Sequence, residues 1–222
     1  MIIVHHLNNS RSQRLLWLLE ELGIPYEIKR YQRDAKTMLA PPELRVVHPL
    51  GKSPVITDGD VTLAESGAIM EYILERYGGG RLVPHPGTPE KVRYIYWMHF
   101  AEGSAMPPLV MKLVLGRMAK SSPLLVRPVA KALSGRVMSG FVQPNISRQL
   151  DYMEAELNRT SWFAGNEFTA ADIQMSFPLE AASARAGLEQ GHPKAMAWLE
   201  RIHARPAYKL ALEKGGPYEI GR

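Results

Sequence analysis

Three short stretches carry side chains that could do chemistry, and the chemistry they suggest is the handling of an anion. NNSRSQR places Ser10 and Ser12 just ahead of an apolar run that reads as a helix. A helix start offers free N–H groups and the positive end of the dipole, so a hydroxyl there can help hold negative charge. AESGAI places Glu65 and Ser66 at the start of a second such run. Ser66 there again puts a hydroxyl beside the free N–H groups of a helix start. LGKSPVI, residues 50–56, adds Lys52, Ser53, Pro54 and Val55. Its proline stands directly before a strand, where it removes a donor the sheet could use. Other chemistries drop out. The chain has no cysteine, which excludes disulfides, thiolate metal sites and a cysteine nucleophile. His5-His6 resembles a metal pair, but adjacent strand residues point to opposite faces and no cysteine or carboxylate is near. No metal is expected.

The elements that must hold these groups alternate at first. A buried strand begins at residues 2–4, and 11–22 (RSQRLLWLLEEL) reads as a helix stopped by Gly23 and Pro25. Tyr26–Tyr31 is a second strand, followed by a polar stretch and a short helical turn ending near His48-Pro49. Residues 55–57 and 61–63 flank Asp58-Gly59-Asp60, a hairpin signal. Ser66–Tyr77 is a helix with Ile69, Met70, Ile73, Leu74 and Tyr77 on one face. The predicted order is β-α-β-α-β-β-α, one right-handed crossover and then a closing hairpin.

A linker rich in glycine and proline follows, from Gly78-Gly79-Gly80 to Pro89, and Thr88 can cap the next helix. The division expected is a first domain over 1–80, a linker over 81–90 and a helical domain over 91–222. Helical segments run about 89–106, 109–120, 124–140, 145–158, 170–186, 193–204 and 206–214, with Pro107-Pro108 expected to break or kink the first. FTAADI is a capping box, Thr169 with Asp172, and Phe168 is expected to staple onto Ile173. The helix it starts is nearly uncharged and therefore central.

Composition fits a soluble globular protein, with 45% hydrophobic and 22% charged residues. No run approaches the roughly 20 apolar residues that span a bilayer, and no signal peptide is read at the N-terminus. Net charge is +5 and uneven: residues 103–150 hold seven Lys and Arg and no Asp or Glu. No nucleic-acid signature accompanies them.

The motifs NNSRSQRLLWLLEELGIPYE, HPLGKSPVI with its hairpin, AES and GNEFTAADI occur in order and at a spacing that resembles the glutathione transferase family over essentially the whole chain. The resemblance implies a thioredoxin-like α/β domain followed by an all-helical domain, and a fungal-and-bacterial branch that uses a non-tyrosine catalytic residue. It implies that Pro54 follows a cis peptide and that the main chain of Val55 pairs with the cysteinyl backbone of glutathione by strand addition. Ser66 would hold the γ-glutamyl carboxylate, Glu65 the ammonium, and Lys52 the glycyl carboxylate with help from His48. A free thiol has a pKa of about 8.5, so the enzyme must stabilise the thiolate. Family members do this with a tyrosine, a cysteine or a serine. No tyrosine precedes Tyr26 and there is no cysteine, which leaves Ser10, four residues before Arg14, with Ser12, Asn9 and Arg11 as rivals.

The activity implied is addition of glutathione to a hydrophobic electrophile, or peroxide reduction with it, in a cytoplasmic, detoxifying homodimer. Tyr96, His99, Met106 and Met111 would line the electrophile pocket, and the helices from Ser66 and Pro89 would form the dimer interface. The competing reading is a non-catalytic binding module of the same fold; a third is a disulfide reductase that uses two glutathione molecules. The acid-free stretch has two readings of its own. The preferred one makes it an insertion that covers the electrophile pocket with its cations facing water. The other lays it on an anionic membrane surface.

Overall fold

The computed structural model describes residues 1–216 and 218–220. Pro217, Gly221 and Arg222, part of the expected helical domain, lie outside the described residues. The first half follows the predicted order: β1 (Ile2–Leu7), α1 (Ser12–Leu22), β2 (Tyr26–Tyr31), α2 (Glu43–Val47), β3 (Val55–Asp58), β4 (Val61–Ala64) and α3 (Ser66–Tyr77). The four strands form one sheet in the order β2-β1-β3-β4. β2 runs parallel to β1 from Ile2↔Tyr26 to Leu7↔Tyr31, while β3 is antiparallel to β1 and to β4. Gly59, at φ 59°, makes the two-residue turn between β3 and β4, a backbone region that side chains disfavour.

α1 is apolar from Leu15 to Leu19, with polar residues at its two ends, and is buried along most of its length, polar first turn included. Leu15, Leu16, Leu18 and Leu19 are fully buried. Gly23 closes the helix in the left-handed conformation, with its N–H on the carbonyls of Leu19 and Glu20. α1 thus joins the sheet to the second half rather than lying on its surface.

The second half is helical: α4 (Pro89–Phe100), α5 (Met106–Ser121), α6 (Arg127–Val137), α7 (Gln143–Arg159), α8 (Ala170–Ala186), α9 (Pro193–Ala204) and α10 (Pro206–Gly215). Thr88 caps α4 by accepting from the Lys91 N–H. Pro107-Pro108 does not break the helix as expected. A π-helical stretch, Ala101–Ala105, carries α4 into α5 without interruption, and Met138–Val142 does the same between α6 and α7 ahead of Pro144. A proline cannot donate to the carbonyl four residues back and its ring collides with it; the wider turn relieves both problems.

The capping box at Thr169 forms, and Asp172 does more than cap. Its carboxylate accepts from the N–H groups of Thr169 and Phe163 and from Trp198 Nε1, at 3.0, 3.0 and 3.1 Å. Phe168 packs its ring against Trp17 and Trp162. One continuous core runs from β1 and α1 through α3 into α4, α7, α8 and α9; Leu7, Tyr31 and Leu44 form a small second cluster under α2.

Candidate active site

The topology gathers three loops at one end of the sheet. His5 is opposite Val55, and Val55 is opposite Ala64. The segment after β1, the segment before β3 and the start of α3 therefore meet. Ser10 and Ser53 come together there, with hydroxyls 3.5 Å apart. Ser10 is 3% exposed; its oxygen accepts from the Ser12 N–H at 3.2 Å and lies 2.8 Å from Ser12 Oγ. Ser53 donates to the His5 carbonyl at 3.0 Å. Of the other residues weighed beside Ser10, Ser12 is fully buried and 2.8 Å from His6 Nδ1, Asn9 accepts from the Glu219 N–H, and Arg11 reaches both Glu102 oxygens.

The start of α3 is tied to the start of α1 by a buried arginine. Arg14 is 1% exposed, and its guanidinium donates to the Gln174 carbonyl at 2.6 Å, to Ser66 Oγ at 3.0 Å and to Glu102 at 2.5 Å. An arginine only donates, so Ser66 must accept, and its own proton stays free for a ligand. Burial pushes the Glu102 carboxyl up, but the charges and hydrogen bonds of Arg14 and Arg11 outweigh that and hold it below the usual carboxylate range. Glu65, the residue before α3, is exposed and takes φ 72°, a strained value for a residue with a side chain. The first turn of α3, the Ser66 hydroxyl and the Arg14 guanidinium behind it, itself paired with Glu102, gather hydrogen-bond donors at one place, an arrangement suited to an anion.

Other candidates fall less closely. The Ser53–Pro54 peptide is cis, as the resemblance implied. Val55 is not an open edge: it is fully buried and in register with both β1 and β4. The main chain left open is that of Ser53, which has no backbone hydrogen bond among the described residues. Lys52 is exposed and unpaired among the described residues, and His48 Nδ1 accepts from the Leu50 N–H at 3.4 Å. Met106 lies in the core, while Tyr96 stacks on Phe100 and edges onto Tyr152. His99 and Met111 are exposed. Second-half groups that reach the α1 start include Glu102, Gln174 and Phe177; the Arg11 guanidinium sits 4.9 Å above the Phe177 ring. A cleft of about 550 Å³ runs between the linker and residues 164–169, away from Ser10.

Residues 1–75 match the model of the glutathione S-transferase N-terminal domain, and residues 141–206 match that of the C-terminal domain. The chain belongs to the glutathione S-transferase family. It is 38% identical to glutathione S-transferase 3 of Schizosaccharomyces pombe over 96% of this chain and 88% of that protein. Glutathione S-transferase 1 of Saccharomyces cerevisiae is 32% identical over 96% of this chain and 95% of its own. A crystal structure of a glutathione S-transferase from Actinobacillus pleuropneumoniae superposes with a TM-score of 0.82 at 32% identity, covering 99% of this chain and 95% of that one. This glutathione transferase is therefore an enzyme with the family's α/β domain and helical domain.

Sequence reasoning used Arg14 only to locate Ser10 and missed its work. A signal was present: Arg14 directly precedes the apolar run Leu15–Leu19, where a buried arginine needs a carboxylate, and Glu102 is the last acid before the acid-free stretch. Phe177 gave no such signal, because a phenylalanine in a buried helix reads as core.

Proposed function

We propose that this transferase binds glutathione across the meeting point of Ser10, Ser53 and Ser66, and that Ser10 stabilises its thiolate for attack on a hydrophobic electrophile. The observation that carries this is the buried Ser10 hydroxyl at the start of α1, facing Ser53 and one arginine away from the anion site at Ser66. Ser66 holds the γ-glutamyl carboxylate, Glu65 the ammonium and Lys52 the glycyl carboxylate. The open main chain of Ser53, beside Pro54 and Val55, pairs with the cysteinyl unit. The thiolate is the nucleophile; Ser10 acts on a charge that is larger in the reacting form, so it lowers the barrier more than it tightens binding. Ser10→Ala, tested with an aryl halide and by equilibrium binding of glutathione, separates the two. Turnover falling with binding kept supports the role; equal loss of both moves it to Ser12, Asn9 or Arg11. The same assay with an organic hydroperoxide decides whether peroxide reduction accompanies conjugation.

We place the protein in the cytoplasm, where glutathione is kept reduced, with a part in detoxification. It acts as a homodimer through α3 and α4, which leave Val92, Ile95 and Tyr96 exposed; light scattering that gives a single-chain mass refutes this. Tyr96, His99 and Met111 then lie nearer the interface than the sulfur, and Phe177 supplies the electrophile's wall. For the hairpin of α5 and α6 the second reading gains support. Leu125 is 96% exposed, and Val129, Leu133, Val137 and Phe141 follow it at four-residue spacing, also exposed. A pocket cover would turn these inward, whereas a lipid surface wants them outward beside cations.

A further inference from the structure

A chain of three hydrogen-bonding groups runs inward from Ser10, and its far end has no part in the reading above. Ser10 Oγ lies 2.8 Å from Ser12 Oγ, which lies 2.8 Å from His6 Nδ1. All three residues are buried, so water does not interrupt the chain. We propose that His6 is a positioning residue for the thiol chemistry: through Ser12 and Ser10 it takes up the proton that bound glutathione loses. This rests on the reading of Ser10 as the group that meets the thiol.

The direction of each bond follows from the state of the ring. Burial first, and then the Arg30 charge, bring His6 down to about 4, against an opposing hydrogen bond to the main chain of Gly215. The ring is neutral at pH 7, with one N–H and one lone pair. The path takes the tautomer whose N–H is on Nε2, which turns the Nδ1 lone pair toward Ser12 Oγ. Ser12 then donates to Nδ1 at 2.8 Å rather than to the Leu7 carbonyl at 3.4 Å, Ser10 donates to Ser12, and the outward side of Ser10 Oγ is an acceptor.

From this state the proton has a path. The S–H bond breaks as its proton passes to Ser10 Oγ. The Ser10 proton passes to Ser12 Oγ, and the Ser12 proton forms a new N–H bond at Nδ1. No electron pair leaves its atom for another centre, and the products are a thiolate and an imidazolium. Ser10 now directs its O–H at the sulfur, the orientation that holds a thiolate. The two new charges offset each other, so uptake of the proton is tied to the presence of the anion. The charged neighbours are few. Arg30 is the next residue across the sheet on β2. On α10 the Lys214 ammonium is taken by Glu20 at 2.6 Å. On α1 Arg14 is committed to Glu102 and Ser66. On β1 the His5 ring faces Tyr31 and Thr57 instead.

The test follows the ultraviolet absorbance of the thiolate of bound glutathione against pH, with S-methylglutathione, which has no proton to lose, as the binding control. In His6→Asn the side-chain oxygen still accepts from Ser12 but takes no proton even when a thiolate forms at the other end of the chain. His6→Asn and Ser12→Ala should each raise the ionisation of the bound thiol by about one pH unit, a tenfold loss of thiolate. S-methylglutathione affinity should stay within about twofold, which also shows that the variants fold. Ser12→Thr, which keeps a hydroxyl, should restore the curve. An unchanged curve in His6→Asn overturns the inference. If Ser10→Ala shifts the curve and His6→Asn does not, only the role of His6 falls; if Ser10→Ala does not shift it either, the reading of Ser10 falls with it.

Discussion

At the start of α1, Arg14 is buried and donates to three acceptors, Glu102 is shared between two guanidiniums, and the hydroxyls of Ser10 and Ser12 are bonded to each other. In the α5–α6 hairpin, Leu124 and Leu125 stand 78% and 96% in solvent, and every charged residue from 103 to 150 is a cation. The first region fixes charge by pairing it, with Arg14 sheltered from water and Glu102 about one-third exposed. The second leaves like charges without ion pairs, among the described residues, and apolar side chains uncovered. A buried charge without partners would cost several kcal/mol, so a dense network marks a place where charge must stay put. An uncovered apolar stripe has no such internal reason, which points outside the monomer for its explanation. The residues matched by the two family domains, 1–75 and 141–206, lie on either side of this hairpin.

The largest expected effect tests the first region. Arg14→Met removes the cation but keeps an apolar stem, leaving Glu102 to Arg11, which is about one-third exposed. Removing one partner of a buried pair typically costs about 3–5 kcal/mol. Urea unfolding should show that loss. A change below about 1 kcal/mol would put the Arg14 network on a level with surface pairs and end the contrast.

Ser10→Ala comes next. Loss of a preorganised donor to a developing or reacting anion lowers turnover by about 10²–10³. Stability should fall by only about 1 kcal/mol, the cost of taking from the buried Ser12 N–H the acceptor that Ser10 gives it at the helix start. Steady-state kinetics beside a thermal melt distinguishes this from general damage.

How much of this could be read from the chain depends on the kind of signal. Hydroxyls before apolar runs, a Ser-Pro before a strand and a Thr-x-x-Asp box each sit beside the element they serve, and all three were placed correctly. Contacts between distant elements were not legible. Glu102 meets Arg14 across 88 positions and Phe177 meets Arg11 across the domain boundary. The open edge was misassigned from Ser53 to Val55, because a sequence shows where a strand begins but not that it will be flanked on both sides. The helix breaks expected near Pro107 and between α6 and α7 failed because a π turn absorbs a proline without any composition of its own. His6 was set aside with His5 as an unlikely metal pair. The opposite-face argument was correct, yet it said nothing of what each face held.

Acid should loosen the same region. His6 has an ordinary value of 6.5 and is brought down to about 4 in the fold, chiefly by burial and then by Arg30. The folded state therefore binds fewer protons than the unfolded one between those values, and stability from this ring is complete above 6.5 and is lost as pH falls toward 4. At about 1.4 kcal/mol per pH unit the loss is about 3 kcal/mol in the ligand-free protein. His5, lowered by burial and by Lys29, adds to it in the same direction. Urea midpoints between pH 7 and 4 measure the sum, and in His6→Phe the slope should flatten. A slope that survives this substitution assigns the acid sensitivity to other groups.

The smallest effect on the fold is expected in the hairpin, and it is there that the comparison can be made sharpest. Leu125→Ser, Val129→Ser and Leu133→Ser replace side chains that already face water, so together they should move stability by less than about 1 kcal/mol and leave turnover alone. Their effect should appear on lipid. Each basic residue held near an anionic surface contributes about 1 kcal/mol, and buried leucines add to it. A second copy of the chain is a poor occupant for the same stripe, since a twofold contact there would set cations against cations. Wild-type protein should pellet with vesicles containing phosphatidylserine at physiological salt, stay in solution with neutral phosphatidylcholine vesicles, and be released by high salt. The triple variant should remain in the supernatant throughout. Wild-type protein that also stays in the supernatant with anionic vesicles would remove the lipid surface as the hairpin's partner and leave the apolar stripe to be covered by protein.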